Sequence, residues 1–329
     1  MLSSSRRINY SLRPAKQIER KMLCEAFRSL TTFSPLAEYQ YIGMGALQFA
    51  DFTMIHKELG ITSLFSIEGD PDRDRFVFNK PFECVEMLFG LSTDVLRTRV
   101  DWTVPTIMWL DYDYRLVPSV LADVELFLRN AIAGSLLLVT VDAEEDQIYS
   151  GGDPARSDAE AETEGSLDGM NQRPHAILTS DFPDSAALAG ESDATLVGWN
   201  IAVVYARLIF DAINQITAQE LRPDGAKFEQ LFHFEYLDTA RMVTIGGLLS
   251  PADRAQEVLT TWSTDTFSFV RTSGTAPYRI DLPRLTYREG QWLNQFLPTS
   301  NGQDPVPVED RERYATLYRW FPTFAEIDL

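Results

Sequence analysis

Five short apolar runs recur between residues 39 and 141: Tyr39–Gly45, Ser63–Glu68, Val85–Phe89, Thr106–Leu110 and Ser135–Val141. Helical or loop segments separate them, and the runs are continuous rather than alternating. Continuous runs suit strands buried on both faces, and strands that alternate with helical crossovers build a parallel sheet. The intervening pattern agrees. Ala46–Leu59 reads as a helix closed by Gly60, and Val117–Ala133 as one with Pro118 in its first turn. Further on, Thr195–Gln219 reads as a long helix, and Phe228–Leu237 and Arg241–Leu249 as two strands joined by Asp238-Thr-Ala240. So short a connection makes a hairpin, and the sheet is expected to finish in antiparallel strands. The fold class predicted is α/β: a Rossmann-like doubly wound sheet, mostly parallel, with a C-terminal antiparallel hairpin.

Three regions are expected. Residues 1–34 form a basic N-terminal arm, with an amphipathic helix over Lys16–Leu30 on which Ile18, Met22, Phe27 and Leu30 recur at near-helical spacing. Residues 35–250 form the Rossmann-like domain, interrupted at 151–172 by an acidic insertion with no apolar periodicity. Residues 251–329, with Trp262, Trp292 and Trp320, form an appended lobe.

Charge narrows the partners. The net charge of −19 argues against nucleic-acid binding by the whole surface. The arm differs: residues 1–28 carry seven basic residues against two acids. Such an arm can meet a phosphate, a protein or nucleic-acid partner, or its own acidic body. No apolar run approaches the roughly 18 residues that span a bilayer, and the polar first 20 residues lack a secretory signal's apolar core. Cys24 and Cys84 provide neither a disulfide framework nor zinc-ligand spacing, so a reducing cytoplasm is expected and no metal is predicted. The three histidines form no legible Ser-His-Asp set, which leaves hydrolase chemistry without support.

The chemistry concentrates where strands end. Gly43-Met-Gly45 follows the first strand, and Glu68 closes the second, 23 residues beyond Gly45. Glycines let backbone amides approach a ligand closely, and an acid so placed can accept from ribose hydroxyls. Gln48 stands where a dinucleotide fingerprint has its third glycine. Read without a ligand, the same residues are a tight turn and an incidental acid. Gly90-Leu-Ser-Thr-Asp94 follows the third strand; Ser92 or Asp94 can face a purine amine there, or simply cap a helix. The fourth strand ends in Asp111-Tyr-Asp113, two acids at a carboxyl edge, suited to orient a substrate or act as general base.

Taken together, Tyr41-Ile-Gly-Met-Gly45, Glu68, Leu110-Asp-Tyr-Asp113, the fifth strand and the hairpin resemble class I S-adenosyl-L-methionine (SAM) dependent methyltransferases over residues 35–250. Tyr10-Ser-Leu-Arg-Pro-Ala-Lys16-Gln-Ile-Glu-Arg20 and Phe76-Val-Phe-Asn-Lys-Pro-Phe82 resemble a group of bacterial proteins labelled O-methyltransferases. The resemblance implies that Gly43 and Gly45 bracket the methionine moiety, that Glu68 holds the ribose, and that Tyr41 and Lys16 also belong to the cofactor site. It places Ser92 or Asp94 at the adenine and Asp111 and Asp113 beside the methyl group. Lys16 precedes the glycine turn, as does a cofactor-holding lysine in DNA adenine methyltransferases. Their Asp-Pro-Pro-Tyr signature is replaced by Asp111-Tyr-Asp-Tyr114, which speaks against methylation of DNA amines. The function implied is SAM-dependent methyl transfer to oxygen or nitrogen of an unidentified acceptor. Two other readings share the residues. One is a catalytically inactive methyltransferase-like module in a multi-protein, defence-type assembly; the other is a nicotinamide-dependent oxidoreductase, which the missing glycine and the hairpin disfavour.

Overall fold

The strands form one eight-stranded sheet in the computed structural model, which describes residues 13–150, 173–183, 185–218, 222, 224–299 and 305–322. In chain order they are β1 (Gln40–Gly43), β2 (Ser63–Glu68), β3 (Val85–Phe89), β4 (Thr106–Asp111), β5 (Leu136–Asp142), β6 (Lys227–Leu237), β7 (Arg241–Ser250) and β8 (Tyr278–Ile280). Their spatial order is β3-β2-β1-β4-β5-β7-β6-β8. The first five pair in parallel. β7 runs antiparallel to both neighbours, and the added strand β8 lies parallel to β6. β1 touches both β2 and β4, so the strand order reverses there. Open α/β sheets bind ligands at the carboxyl ends of the strands flanking such a switch point.

Helices cover both faces, as uninterrupted apolar strands require. Alternate residues of one strand point to opposite layers. Tyr41, Ile107, Trp109, Leu136 and Leu138 face α1 (Pro14–Phe27) and α2 (Ala50–Leu59). Ile42, Met108, Leu110, Leu137 and Val139 face α4 (Ser92–Thr98), α5 (Pro118–Asn130) and α8 (Trp199–Ala218). Shorter helices complete the chain: α3 (Arg73–Phe78), α6 (Glu145–Ser150), α7 (Pro174–Asp181), α9 (Ala255–Thr261), α10 (Tyr287–Leu293) and α11 (Val308–Leu317). Trp262, Phe269, Leu317 and Trp320 join the cluster containing α1 and β6. None of these helices is long and apolar enough to cross a membrane.

α1 lacks a side-chain cap of its own and has no acid in its first turn. The cap comes from the far end of the sequence. Asp238, in the β6–β7 turn, accepts from the backbone amides of Ala15 (2.9 Å) and Lys16 (3.1 Å). A carboxylate there satisfies two orphan donors and complements the helix dipole. This pins the N-terminal end of α1 over the carboxyl edge of the sheet.

Several expected boundaries move: the helix read over Lys16–Leu30 spans Pro14–Phe27, and the one read over Val117–Ala133 spans Pro118–Asn130. The helix read from Ala46 begins at Ala50, because Ala46 and Phe49 both adopt φ of 46°, outside the right-handed helix. The helix read from Thr195 begins at Trp199, after Gly198 at φ 54°. The acidic stretch 151–172 lies outside the described residues.

Candidate active site

The turn after β1 is built tightly against its own surroundings. A Cβ on Gly45 would lie 2.5 Å from the Phe49 ring and 2.9 Å from Ser66 Oγ, while one on Gly43 would lie 2.8 Å from the Tyr41 hydroxyl. Both glycines are therefore demanded by packing within the turn, whatever binds above it. The Gly45 amide donates to Ser66 Oγ at 3.1 Å, tying the turn to β2. Left-handed backbone at Ala46 and Phe49 costs about 1–3 kcal/mol each and persists where surroundings over-determine it. Burial of the Phe49 ring supplies that constraint. Next to it, the buried Oε1 of Gln48 has no hydrogen-bond partner among the described residues.

Glu68 ends β2 one strand away. Its Oε1 accepts from the Asp70 amide at 2.8 Å. Burial raises its pKa; the Asp70 and Gly69 amides oppose that shift, whereas Asp70 and Asp113 add to it. A half-buried carboxylate whose charged neighbours are acids is satisfied best by neutral hydroxyl donors.

On the β4 side, Asp111 meets the amino end of α1. Lys16 Nζ lies 2.8 Å from Asp111 Oδ1 and 2.9 Å from Glu19 Oε2, and sits over the rings of Trp109 (4.4 Å) and Tyr236 (5.6 Å). Lys16 and Glu19 are fully buried. Burial raises the Glu19 pKa against the opposing pull of Lys16. Deeper on the same face, the Tyr41 hydroxyl donates to Asp51 Oδ2 at 2.6 Å. Burial raises the Asp51 carboxyl pKa too, opposed first by the nearby Arg20 guanidinium. Lys16 and Tyr41 thus direct their polar atoms at Asp111 and Asp51, beneath the strand ends.

The remaining expected residues lie further round the rim. Asp113 is exposed, close enough to Glu68 to act on its titration. Asp94 is exposed in the first turn of α4. The Ser92 hydroxyl donates to Asp123 Oδ2 on α5; Thr93 Oγ1 donates to Asp123 Oδ1 at 2.6 Å and Tyr112 Oη to Oδ2 at 2.5 Å. Asp123 therefore ties the start of α4 and the segment after β4 to α5. Gly43, Gly45, Glu68, Asp111 and Asp113 gather round the switch point, with Ser92 and Asp94 in the first turn of α4 beyond β3.

Glu19, Asp51, Asp123 and Asp142 were not singled out by the sequence reading. Asp123 and Asp142 are buried acids within largely apolar elements, and that incongruity was the available signal; Glu19 and Asp51, in helices with other charged residues, offered none. No group of three or more His, Cys, Asp and Glu side chains suited to a metal ion occurs among the described residues.

Comparison with known proteins decides the family. The model of a family described as "Putative O-methyltransferase" matches residues 8–329. The chain belongs to that family. No curated protein matches. Among solved structures, the O-methyltransferase from Bacillus cereus in complex with SAH is 12% identical, covering 68% of this chain and 79% of its own, with a TM-score of 0.35. The O-methyltransferase TomG from Streptomyces achromogenes, involved in tomaymycin synthesis and complexed with SAM, is 12% identical over 68% and 78%, with a TM-score of 0.37. Cofactor-bound Rv0187 from MTB is 14% identical over 68% and 78%, with a TM-score of 0.35.

Proposed function

We propose that this O-methyltransferase family member holds SAM across the carboxyl ends of β1 and β2 and presents its methyl group to an acceptor hydroxyl at the end of β4. The chain is a SAM-dependent methyltransferase. Glu68 carries the binding half of the reading. It is a carboxylate partly withdrawn from water, with acids for charged neighbours, one strand from the switch point. A ribose diol offers the two neutral donors that such a group needs. The Gln48 acceptor fits the ammonium of the methionine end, and Ser92 and Asp94 border the space for the adenine.

The bound donor supplies an electrophilic methyl carbon on a sulfonium. The protein's work is then alignment and exclusion of water, worth several kcal/mol in reactions of this type. Asp111, fixed by Lys16 at 2.8 Å, and the exposed Asp113 orient the acceptor hydroxyl. The acceptor class we favour is a small hydroxylated molecule, with structured RNA as the next to try. The reading places the enzyme in a reducing cytoplasm, consistent with two free cysteines and a Cys24 thiol pushed up to about 12 by burial.

The test is calorimetric titration with SAM and with S-adenosylhomocysteine (SAH). Micromolar binding of both is expected, weakened at least about tenfold in Glu68→Gln, equivalent to about 1.4 kcal/mol. Absence of binding by the wild-type protein would end the cofactor assignment.

A further inference from the structure

Asp142 is the last residue of β5, beside the strand that carries Asp111. The β4–β5 register pairs Asp111 with Thr140. Side chains two apart on a strand share a face, and Leu136 and Leu138 show that this is the face toward α1. Asp142 therefore stands on the same face as Asp111, one strand over and about 7 Å further toward the carboxyl edge. Its backbone is fixed on both sides. The Asp142 amide donates to Tyr114 O at 3.0 Å, and the next amide, Ala143, donates to Arg241 O at 2.8 Å. Its Oδ1 accepts from the Glu144 amide at 2.7 Å, which fixes the carboxyl group as well. The acid is thus held by hydrogen bonds, almost wholly buried and located at the edge to which the proposed function brings the acceptor.

We propose that Asp142 is the proton acceptor for methyl transfer, an assignment that rests on the SAM-binding reading above. The acceptor's O–H proton passes to the Asp142 carboxylate while an oxygen lone pair forms the new C–O bond to the methyl carbon. The C–S bond breaks with its electron pair going to sulfur, so the sulfonium becomes the neutral thioether SAH. The proton then leaves Asp142 for water. Overall, SAM and the hydroxyl yield the methyl ether, SAH and one proton.

The electrostatic setting supports the role. Burial pushes the Asp142 carboxyl up to about 7. The hydrogen bond from the Glu144 amide opposes that shift, the Glu144 and Asp146 charges on the segment that follows add to it, and Arg13, ahead of α1, lowers it least. Tyr205, on α8 beneath the other face, also feels the Asp142 charge. At one remove Arg241 pairs with Glu144 at 2.7 Å, and Asp238 lies 3.7 Å from Arg13. A base titrating near the working pH combines readiness to accept with readiness to release.

The experiment needs no acceptor. SAM carries a sulfonium charge that SAH lacks, so a carboxyl at the reacting centre loses affinity for its proton when SAM binds. Calorimetry in buffers of different ionisation enthalpy counts the protons released. A group half-protonated at pH 7 and shifted down by one unit keeps about a tenth of its protons, which predicts release of about 0.4 proton per SAM. SAH should release markedly fewer, and in Asp142→Asn the difference between the two ligands should vanish. The wild type gives a second reading should the variant fail to fold: the SAM-minus-SAH release should fall close to zero by pH 9, where Asp142 is already ionised. Equal release for the two ligands at pH 7, or an excess that persists at pH 9 or in Asp142→Asn, would overturn the assignment while leaving the binding site intact. Failure of both ligands to bind would instead remove the cofactor reading, and this proposal with it.

Discussion

The two faces of the sheet are built from the same strands and filled differently. Beneath α5 and α8, Ile42, Met108, Leu110 and Val139 pack into a largely apolar layer; its buried Asp123 accepts from three hydroxyls, and the buried ion pair there, at 2.6 Å, joins Arg115 to Asp181 rather than to a strand-end acid. Beneath α1, the ionisable Lys16, Glu19, Arg20 and Asp51 are buried together, and Lys16 joins Glu19 to Asp111 at the carboxyl edge. Burying ion pairs rarely adds net stability, because desolvation of each ion offsets the attraction between them. What the charges under α1 add is position: they fix where an acid stands beside the proposed methyl site. One face holds the fold, and the other holds the fold and aims a side chain.

Removing Lys16 should break this arrangement most severely. Lys16→Met leaves Glu19 and Asp111 without their cation and is expected to cost about 3–5 kcal/mol in chemical denaturation. The loss should be smaller at pH 5 than at pH 8, since Glu19, already raised by burial, escapes its penalty by taking a proton. Adding Glu19→Leu to Lys16→Met should recover part of the loss. A cost below about 1 kcal/mol would mean that water reaches the pair, and the contrast between faces would collapse. On the other face, Asp123→Ala strips the partner from Ser92, Thr93 and Tyr112, and about 2–3 kcal/mol should go. Asp123→Asn should lose less, because the amide oxygen still accepts.

A pH experiment sharpens the difference. A carboxyl whose folded pKa is raised binds its proton more tightly folded than unfolded, so its contribution to stability falls as pH rises from about 4 to about 7. For Asp142 the penalty is complete above pH 7. Asp142→Asn keeps an acceptor for the Glu144 amide and removes the charge. It should therefore stabilise the protein by about 1–3 kcal/mol at pH 8, and the gain should shrink steadily toward pH 4. A residue that lowers stability where it stands is the signature expected of a functional group. Thermal unfolding of the two proteins between pH 4 and 8 checks both the sign and the window.

The strands were legible because burial on both faces leaves uninterrupted apolar runs; Ser63–Glu68 and Val85–Phe89 carry the same bounds in the sequence and in the structure. Glu68 and Asp111 were legible for the same reason, as acids that terminate such runs. The ionic layer was not. Periodicity in α1 marks Ile18, Met22 and Phe27 as the buried stripe, which makes Lys16, Glu19 and Arg20 read as the wet side. They are dry because that side is covered from far along the chain. β6 and β7 lie against it, Glu25 receives hydrogen bonds from Arg319 and Trp320, and Trp262 donates to Ala26 O. No local pattern encodes contacts across some 220 to 300 residues. β8, three residues long, is too short to show any period.

The turn after β1 provides the smallest effect and a test of whether its strain belongs to folding or to binding. Ala46 sits at φ 46°, where a Cβ costs roughly 1 kcal/mol or more. Ala46→Gly removes that cost but loosens the unfolded chain, which returns about 0.4–1 kcal/mol. Stability should therefore rise by only about 0.5 kcal/mol or stay level, a shift near 1 °C in a chain this size. Phe49 cannot serve for this test, because its ring is buried and truncation would empty a core site. If the turn is held rigid for the ligand, Ala46→Gly should weaken SAM more than it changes the melting temperature, since binding must then order a softer loop. Unchanged affinity together with a gain of 1 kcal/mol or more would show that the left-handed turn merely follows from seating Phe49, and the pre-organised half of the site would then reduce to Glu68 and the acids on β4 and β5.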